Sequence, residues 1–185
     1  MDHPAPPEAA QPKNPIHWVE TPEQLEAICA RFGHASVIGL DVETTITRDQ
    51  SLCLVQVGTH TETALIDPLV VEDLDPLKAL LEDEGVVKVI HNASFEKRVL
   101  GGYGIEIANV YDTMTVSRQL RKIKGKGMNT LATVCKRELD LVIDKVPQTS
   151  NWRRRPLADR QRKYAALDAE ILLRLYDVFE AEMLI

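Results

Sequence analysis

Two acidic residues two positions apart, Asp41 and Glu43, end the apolar run Val37-Ile-Gly-Leu-Asp-Val-Glu43. Residues i and i+2 of a strand point to the same face, so the two carboxylates project side by side. Buried on an otherwise apolar strand, both anions are costly without a cation, and oxygen ligands suit a hard ion such as Mg²⁺ or Mn²⁺. A strand end emerging into solvent needs no metal, so the pair alone leaves both readings open. A second pair, Tyr164 and Asp168, lies four apart in a helical stretch, where such positions share one face. Phenol and carboxylate then point into the same space, although a half-buried tyrosine beside a solvated aspartate fits as well. A third group, His91-Asn92-Ala93-Ser94-Phe95-Glu96, leaves a strand pattern and opens a helical one. Such a junction turns backbone N–H groups and the positive helix end towards a ligand. Glu96, in the first turn, also serves simply to offset the helix dipole. Together the set is far more specific. Asp41, Glu43, Glu96 and Asp168 converging on one point would hold two divalent ions and clamp the attacking and leaving oxygens of a phosphodiester. Tyr164 would then orient or help deprotonate the attacking water.

These residues need elements to position them. Thr21-Pro22-Glu23 predicts a helix start, with Thr as N-cap and Pro at the first helical position, running to about Phe32 and stopping at Gly33. Strands are predicted over residues 37–43, 52–57 and 63–67, joined by short turns as an antiparallel meander. The rhythm then alternates: helix over 74–84, strand over 86–91, helix over 94–101, short strand over 109–111. From Thr113 helical patterns dominate, broken by Gly125-Lys-Gly127 and by residues 145–155. The last helix, about Ala158–Phe179, is expected to be bent or split. Strands, then alternation, then helices make an α/β layer fold with a mixed sheet, antiparallel meander plus parallel strands. An RNase H-like three-layer sandwich fits this order.

The chain has 185 residues with 44% apolar and 27% charged, enough for a buried core in one domain and unlike a disordered or fibrous chain. Residues 1–15 carry five prolines and read as a flexible, loosely attached tail, with a single domain over 16–185. No stretch approaches 18 uninterrupted apolar residues, and the start lacks a signal-peptide layout, so neither membrane span nor export signal is expected. Three distant cysteines, Cys29, Cys53 and Cys135, without a CxxC pair, are read as reduced thiols of a cytoplasmic protein. The net charge is −6, but residues 118–163 hold 14 Lys/Arg against 4 Asp/Glu, a local balance of +10. Such a segment is an electrostatic footprint for phosphates, or a pair of solvated helix faces. Arg118, Arg121, Lys122, Lys124 and Lys126 flank the glycine loop, and Arg153, Arg154 and Arg155 precede the last helix. One of those three arginines is expected to be structural and the others exposed, and Trp152 to anchor the loop or stack on a base.

The motifs Asp41-Val-Glu43-Thr44-Thr45, Asn92-Ala-Ser-Phe95-Glu96 and Tyr164-Ala-Ala-Leu-Asp168 resemble those of the DEDD superfamily of 3′–5′ exonucleases, in the branch with tyrosine in its third motif. The chain is most similar there to the ribonuclease D catalytic domain. Leu52-Cys-Leu-Val-Gln-Val57, Ala64-Leu-Ile-Asp-Pro-Leu69 and Trp152-Arg-Arg-Arg-Pro-Leu157 extend the likeness over roughly Ile16 to Ile185. The resemblance implies a metal-dependent exonuclease that releases 5′-nucleoside monophosphates from single-stranded nucleic acid, RNA favoured and DNA possible, using two divalent cations, Mg²⁺ or Mn²⁺. It implies that Asp41, Glu43 and Asp168 ligate metal, that Glu96 stands where the family has aspartate, and that Tyr164 positions water. Thr44, His91, Asn92 and Phe95 would hold terminal nucleotides, and Arg153 and Arg154 the backbone. With Ile185 directly after the last helical pattern, no accessory helical nucleic-acid-binding domain of the kind ribonuclease D usually has is expected. That leaves an enzyme for very short RNA or a homo-oligomer as alternatives, and Glu96 in place of aspartate leaves a catalytically decayed binding domain as another.

Overall fold

A computed structural model describes residues 8–184. Its strands are β1 (Ile16–Val19), β2 (Val37–Thr44), β3 (Leu52–Gly58), β4 (Thr63–Ile66), β5 (Val87–Ile90) and β6 (Val110–Asp112). Its helices are α1 (Pro22–Phe32), α2 (Asp75–Glu82), α3 (Ser94–Gly101), α4 (Thr113–Arg121), α5 (Leu131–Leu139) and α6 (Asp159–Met183), with a short 3₁₀ turn at Val146–Thr149. The six strands form one sheet in the order β1-β4-β3-β2-β5-β6. β2, β3 and β4 make the expected antiparallel meander, while β5 runs parallel to β2 and β6 parallel to β5.

β1, parallel to β4 at the sheet edge, is an addition to the sequence reading. Four residues straight after Pro15 carry too little alternation to announce a strand. At its end Thr21 caps α1 and Gln24 reaches back to the cap, a capping box that makes this helix start legible.

Strand alternation sorts the sheet into two faces. Ile38, Leu40 and Val42 join the core under α1, α2 and α3. Val37 on the opposite face packs on Leu172 and Leu173 of α6, and the same period puts Gly39, Asp41 and Glu43 there too. α4, α5 and α6 cover that face through a core containing Val134, Ile171, Leu175 and Phe179. The result is the expected three layers, helices–sheet–helices.

α6 is one unbroken helix of 25 residues, which corrects the expected split. Its middle, from Ala165 to Leu173, is buried on all sides, which erases the amphipathic rhythm. It contains neither Gly nor Pro to break it. A pair of glycines lets it sit close to the sheet. Gly39 and Gly58 face each other across β2 and β3. A Cβ on Gly39 would collide with the carbonyl oxygen of Ala169, and one on Gly58 would lie 3.3 Å from the Ala169 Cβ.

Part of the Pro-rich segment ahead of β1 is bonded to the rest of the domain. Lys13 and Asn14 donate their backbone N–H groups to the buried Glu170 carboxylate of α6, at 2.8 and 3.1 Å. The Ala10 N–H donates to the Val142 carbonyl, and Asn14 Nδ2 to that of Thr59. Residues 1–7 of that tail lie outside the described residues.

Candidate active site

The close seat of α6 brings its third-motif acid onto β2. One carboxylate oxygen each from Asp41, Glu43 and Asp168 lies within 4.8 Å of the others. Glu96, one turn into α3 and 3% exposed, reaches the carboxyl of Asp41 and joins the cluster through it. Gln56, directly across the sheet from Asp41, donates from Nε2 to Glu43 at 3.4 Å. Asp168 Oδ1 and Glu96 Oε2 are buried without any hydrogen-bond partner. Native proteins rarely leave carboxylate oxygens so. An all-oxygen donor set with unsatisfied buried atoms fits a hard divalent cation. Asp41, Glu43 and Asp168 thus meet in one place, with Glu96 beside Asp41.

Electrostatics agree. Burial, then the charges of Asp41 and Asp168, pushes Glu43 well above the usual carboxylate range. Asp168 is raised by burial and then by Asp41. Burial lifts Asp41 to about 6 and Glu96 to about 9. Acids whose folded pKa is raised stabilise the fold at low pH and lose that contribution as pH rises through the raised value. In chelator, the melting temperature should therefore fall by several degrees between about pH 5 and about pH 8, first as Asp41 ionises. Saturating Mg²⁺ or Mn²⁺ should restore most of it at the higher pH. Calorimetry showing a pH-independent melting point would contradict the clustering of these acids.

Tyr164 lies one turn before Asp168 on α6, beside its carboxyl. Burial, then the charges of Asp168, Glu43 and Asp41, raises its pKa strongly. Its hydroxyl stays a donor that positions, not a base. Trp152, 1% exposed with its ring 6.1 Å from that of Tyr164, packs in the core and so is not a base-stacking platform.

A cavity of about 710 Å³ opens over the acids. Thr44, His91, Asn92 and Phe95 all line it. His91 is engaged at both ring nitrogens, with Nε2 donating to the Asn129 carbonyl at 2.9 Å and Nδ1 2.8 Å from the Thr113 hydroxyl. Burial lowers its pKa, which keeps the ring neutral. The N–H groups expected to face a ligand at the β5–α3 junction are taken instead. Asn92, at φ +67°, and Ala93 both donate to Asp112, which also caps α4. Asp112 was absent from the sequence reading, although an aspartate just before Thr113 is an N-cap signal.

The cations divide. Arg118, Lys126 and Lys145 line the cavity. Arg153 and Arg154 are exposed and do not line it. Arg155 is the structural one, paired through Nε and Nη2 with buried Asp67 and donating to the Cys53 carbonyl. Arg121 is held by Glu138 and Glu182 and is lost as a substrate contact. All three cysteines are free and buried. Among the described residues no helix is long and apolar enough to cross a membrane.

Comparison with known proteins agrees with this geometry. The chain is 33% identical over 177 residues to ribonuclease D of Haemophilus influenzae, covering 92% of this chain and 43% of that protein. It is 34% identical over 161 residues to DNA polymerase I of Aquifex aeolicus, covering 87% of this chain and 26% of the polymerase. The crystal structure of Escherichia coli RNase D, an exoribonuclease involved in structured RNA processing, superposes with a TM-score of 0.80 at 29% identity, over 90% of this chain and 45% of that one. The chain thus spans less than half the length of these relatives, and shares their RNase H-like fold. The sequence profile of 3′–5′ exonucleases matches residues 16–184. With every strand of the sheet and all of α6 inside that match, the chain belongs to the 3′–5′ exonuclease family.

Proposed function

We propose that this protein is a divalent-metal-dependent exonuclease that removes nucleotides from the 3′ end of single-stranded RNA, releasing 5′-nucleoside monophosphates. The observation that carries the reading is the meeting of Asp41, Glu43 and Asp168 within 4.8 Å at the floor of a cleft. Those three, with Glu96 beside Asp41, would hold two ions, Mg²⁺ or Mn²⁺. When bound, such ions stabilise charge on the attacking and leaving oxygens of a phosphodiester. The chain's own residues do the rest. The Tyr164 hydroxyl orients water towards the scissile phosphate, as the resemblance to the tyrosine branch of the family implies. Thr44, Asn92 and Phe95 seat the terminal nucleotide, and His91 stiffens that wall through its bridge from Thr113 to Asn129. RNA is favoured because ribonuclease D relatives are similar over nearly the whole chain.

The test is a gel assay on matched 5′-labelled single-stranded RNA and DNA 20-mers with Mg²⁺, Mn²⁺ or chelator. A metal-dependent ladder shortening from the 3′ end is expected, faster on RNA. No ladder from folded protein would overturn the reading, and equal ladders would overturn the RNA preference. Glu96→Asp should keep or raise the rate. Shortening this acid by one methylene restores the family's usual residue and eases its crowding against Asp41, whose charge raises the Glu96 pKa. Complete loss of cleavage would mean that the site is built around the longer acid.

A further inference from the structure

Residues 118–163 hold 14 cationic side chains, and the structure sorts them by partner. Arg121, Lys136, Arg137, Arg155, Arg160 and Lys163 are each ion-paired with an acid. The other eight have no ion-pair partner among the described residues, and of these Arg118, Lys126 and Lys145 line the cleft that holds the acids, are exposed, and come from three separate segments. Arg118 lies on α4, Lys126 sits between two glycines in the loop that follows, and Lys145 directly precedes the 3₁₀ turn. Outside residues 118–163 the chain carries a net −16. A polyanion is repelled by most of that surface and attracted at this rim.

We propose that Arg118, Lys126 and Lys145 form a phosphate lane for the part of the strand 5′ to the nucleotide being removed. The enzyme accordingly takes single strands several nucleotides long in preference to dinucleotides. The proposal rests on the exonuclease reading of the same cleft. Contacts of Lys and Arg to phosphate are independent of base sequence, so the lane adds affinity and directs the 3′ end inward without choosing a sequence. A dinucleotide, with a single phosphodiester at the acids, leaves the lane unused.

The experiment measures binding of a fluorescein-labelled single-stranded RNA 12-mer and of a labelled dinucleotide by anisotropy, in chelator, as KCl rises from about 50 to about 200 mM. Three phosphates neutralised at about 0.7 of a counterion each give a logarithmic slope of about 2, or a roughly 20-fold loss of 12-mer affinity over that range. The dinucleotide should change little. In the triple variant Arg118→Gln/Lys126→Gln/Lys145→Gln the slope should fall by about 2, with circular dichroism showing an intact fold. A triple variant with the parent slope overturns the proposal. So does a dinucleotide as salt-sensitive as the 12-mer, which needs no variant to read. So does loss of the slope in Arg153→Gln/Arg154→Gln instead. Cleavage on parallel gels separates the two readings: a slope lost in the triple variant, with no cleavage by the parent, supports the lane and fells the exonuclease.

Discussion

Asp41→Ala is expected to lower kcat/KM for strand cleavage by at least about 10³-fold while leaving the fold intact. Asp41 is the member of the cluster that touches every other part. Its charge raises Glu43, Glu96 and Asp168, and its oxygen lies within 4.8 Å of those of Glu43 and Asp168. Removing it takes away the central ligand of any ion held there, and no neighbouring acid can replace it without moving its backbone. The same change removes a repulsion. In chelator above about pH 6, where Asp41 is ionised, the variant should melt no lower than the parent, because the remaining acids no longer face a buried anion. Cleavage retained at a tenth of the parent rate would show that the chemistry does not run through this cluster.

The second large effect is on stability and is expected at a residue with no functional group. Gly39→Ala should destabilise the protein by about 2–3 kcal/mol and lower its melting temperature by roughly 5–10 °C. The added methyl would strike the carbonyl oxygen of Ala169, a backbone atom that cannot rotate aside. Strand and helix must part, and Asp168, the neighbour of Ala169, is carried away from Asp41. Activity should therefore fall even well below the melting temperature. Gly58→Ala is the comparison, since its methyl would meet Ala169 at 3.3–3.4 Å, a contact that small shifts can absorb. It should cost clearly less. Equal melting points for the parent and Gly39→Ala would mean that α6 stands further from the sheet than the glycine pair allows.

The contrast between these two positions explains how far the sequence could be read. Asp41 and Glu43 were legible because strand alternation is local and two acids ending an apolar run stand out. Tyr164 and Asp168 were legible because helical spacing is local too. The meander, the switch to alternating strand and helix, and the three layers followed from the same short-range periods. Gly39 was not legible as a close-approach site, because its meaning depends on Ala169, 130 positions later. Asp112 went unnoticed for a like reason, since the turn it holds at Asn92 and Ala93 lies about 20 residues earlier. β1 is a short edge strand whose partner β4 is remote in sequence. Cations were the hardest to place. Charge density marked residues 118–163 correctly as basic, but density does not say which side chains already have acids. Arg121, within the basic cluster, is tied to Glu138 and Glu182, whereas Lys145 faces the cleft.

The first described residues also bear on where the chain can be cut or extended. Lys13 and Asn14 both donate to one oxygen, Oε2, of the buried Glu170 carboxylate two positions from Asp168, and Ala10 holds Val142, the neighbour of cleft-lining Ile143. Trimming back to Ile16, where the sheet begins, would strip Glu170 of both donors and release one wall of the cleft from its tether. A purification tag or fusion partner joined ahead of residue 8 leaves all of these bonds in place. The workable boundary for producing the enzyme therefore lies several residues before its first strand.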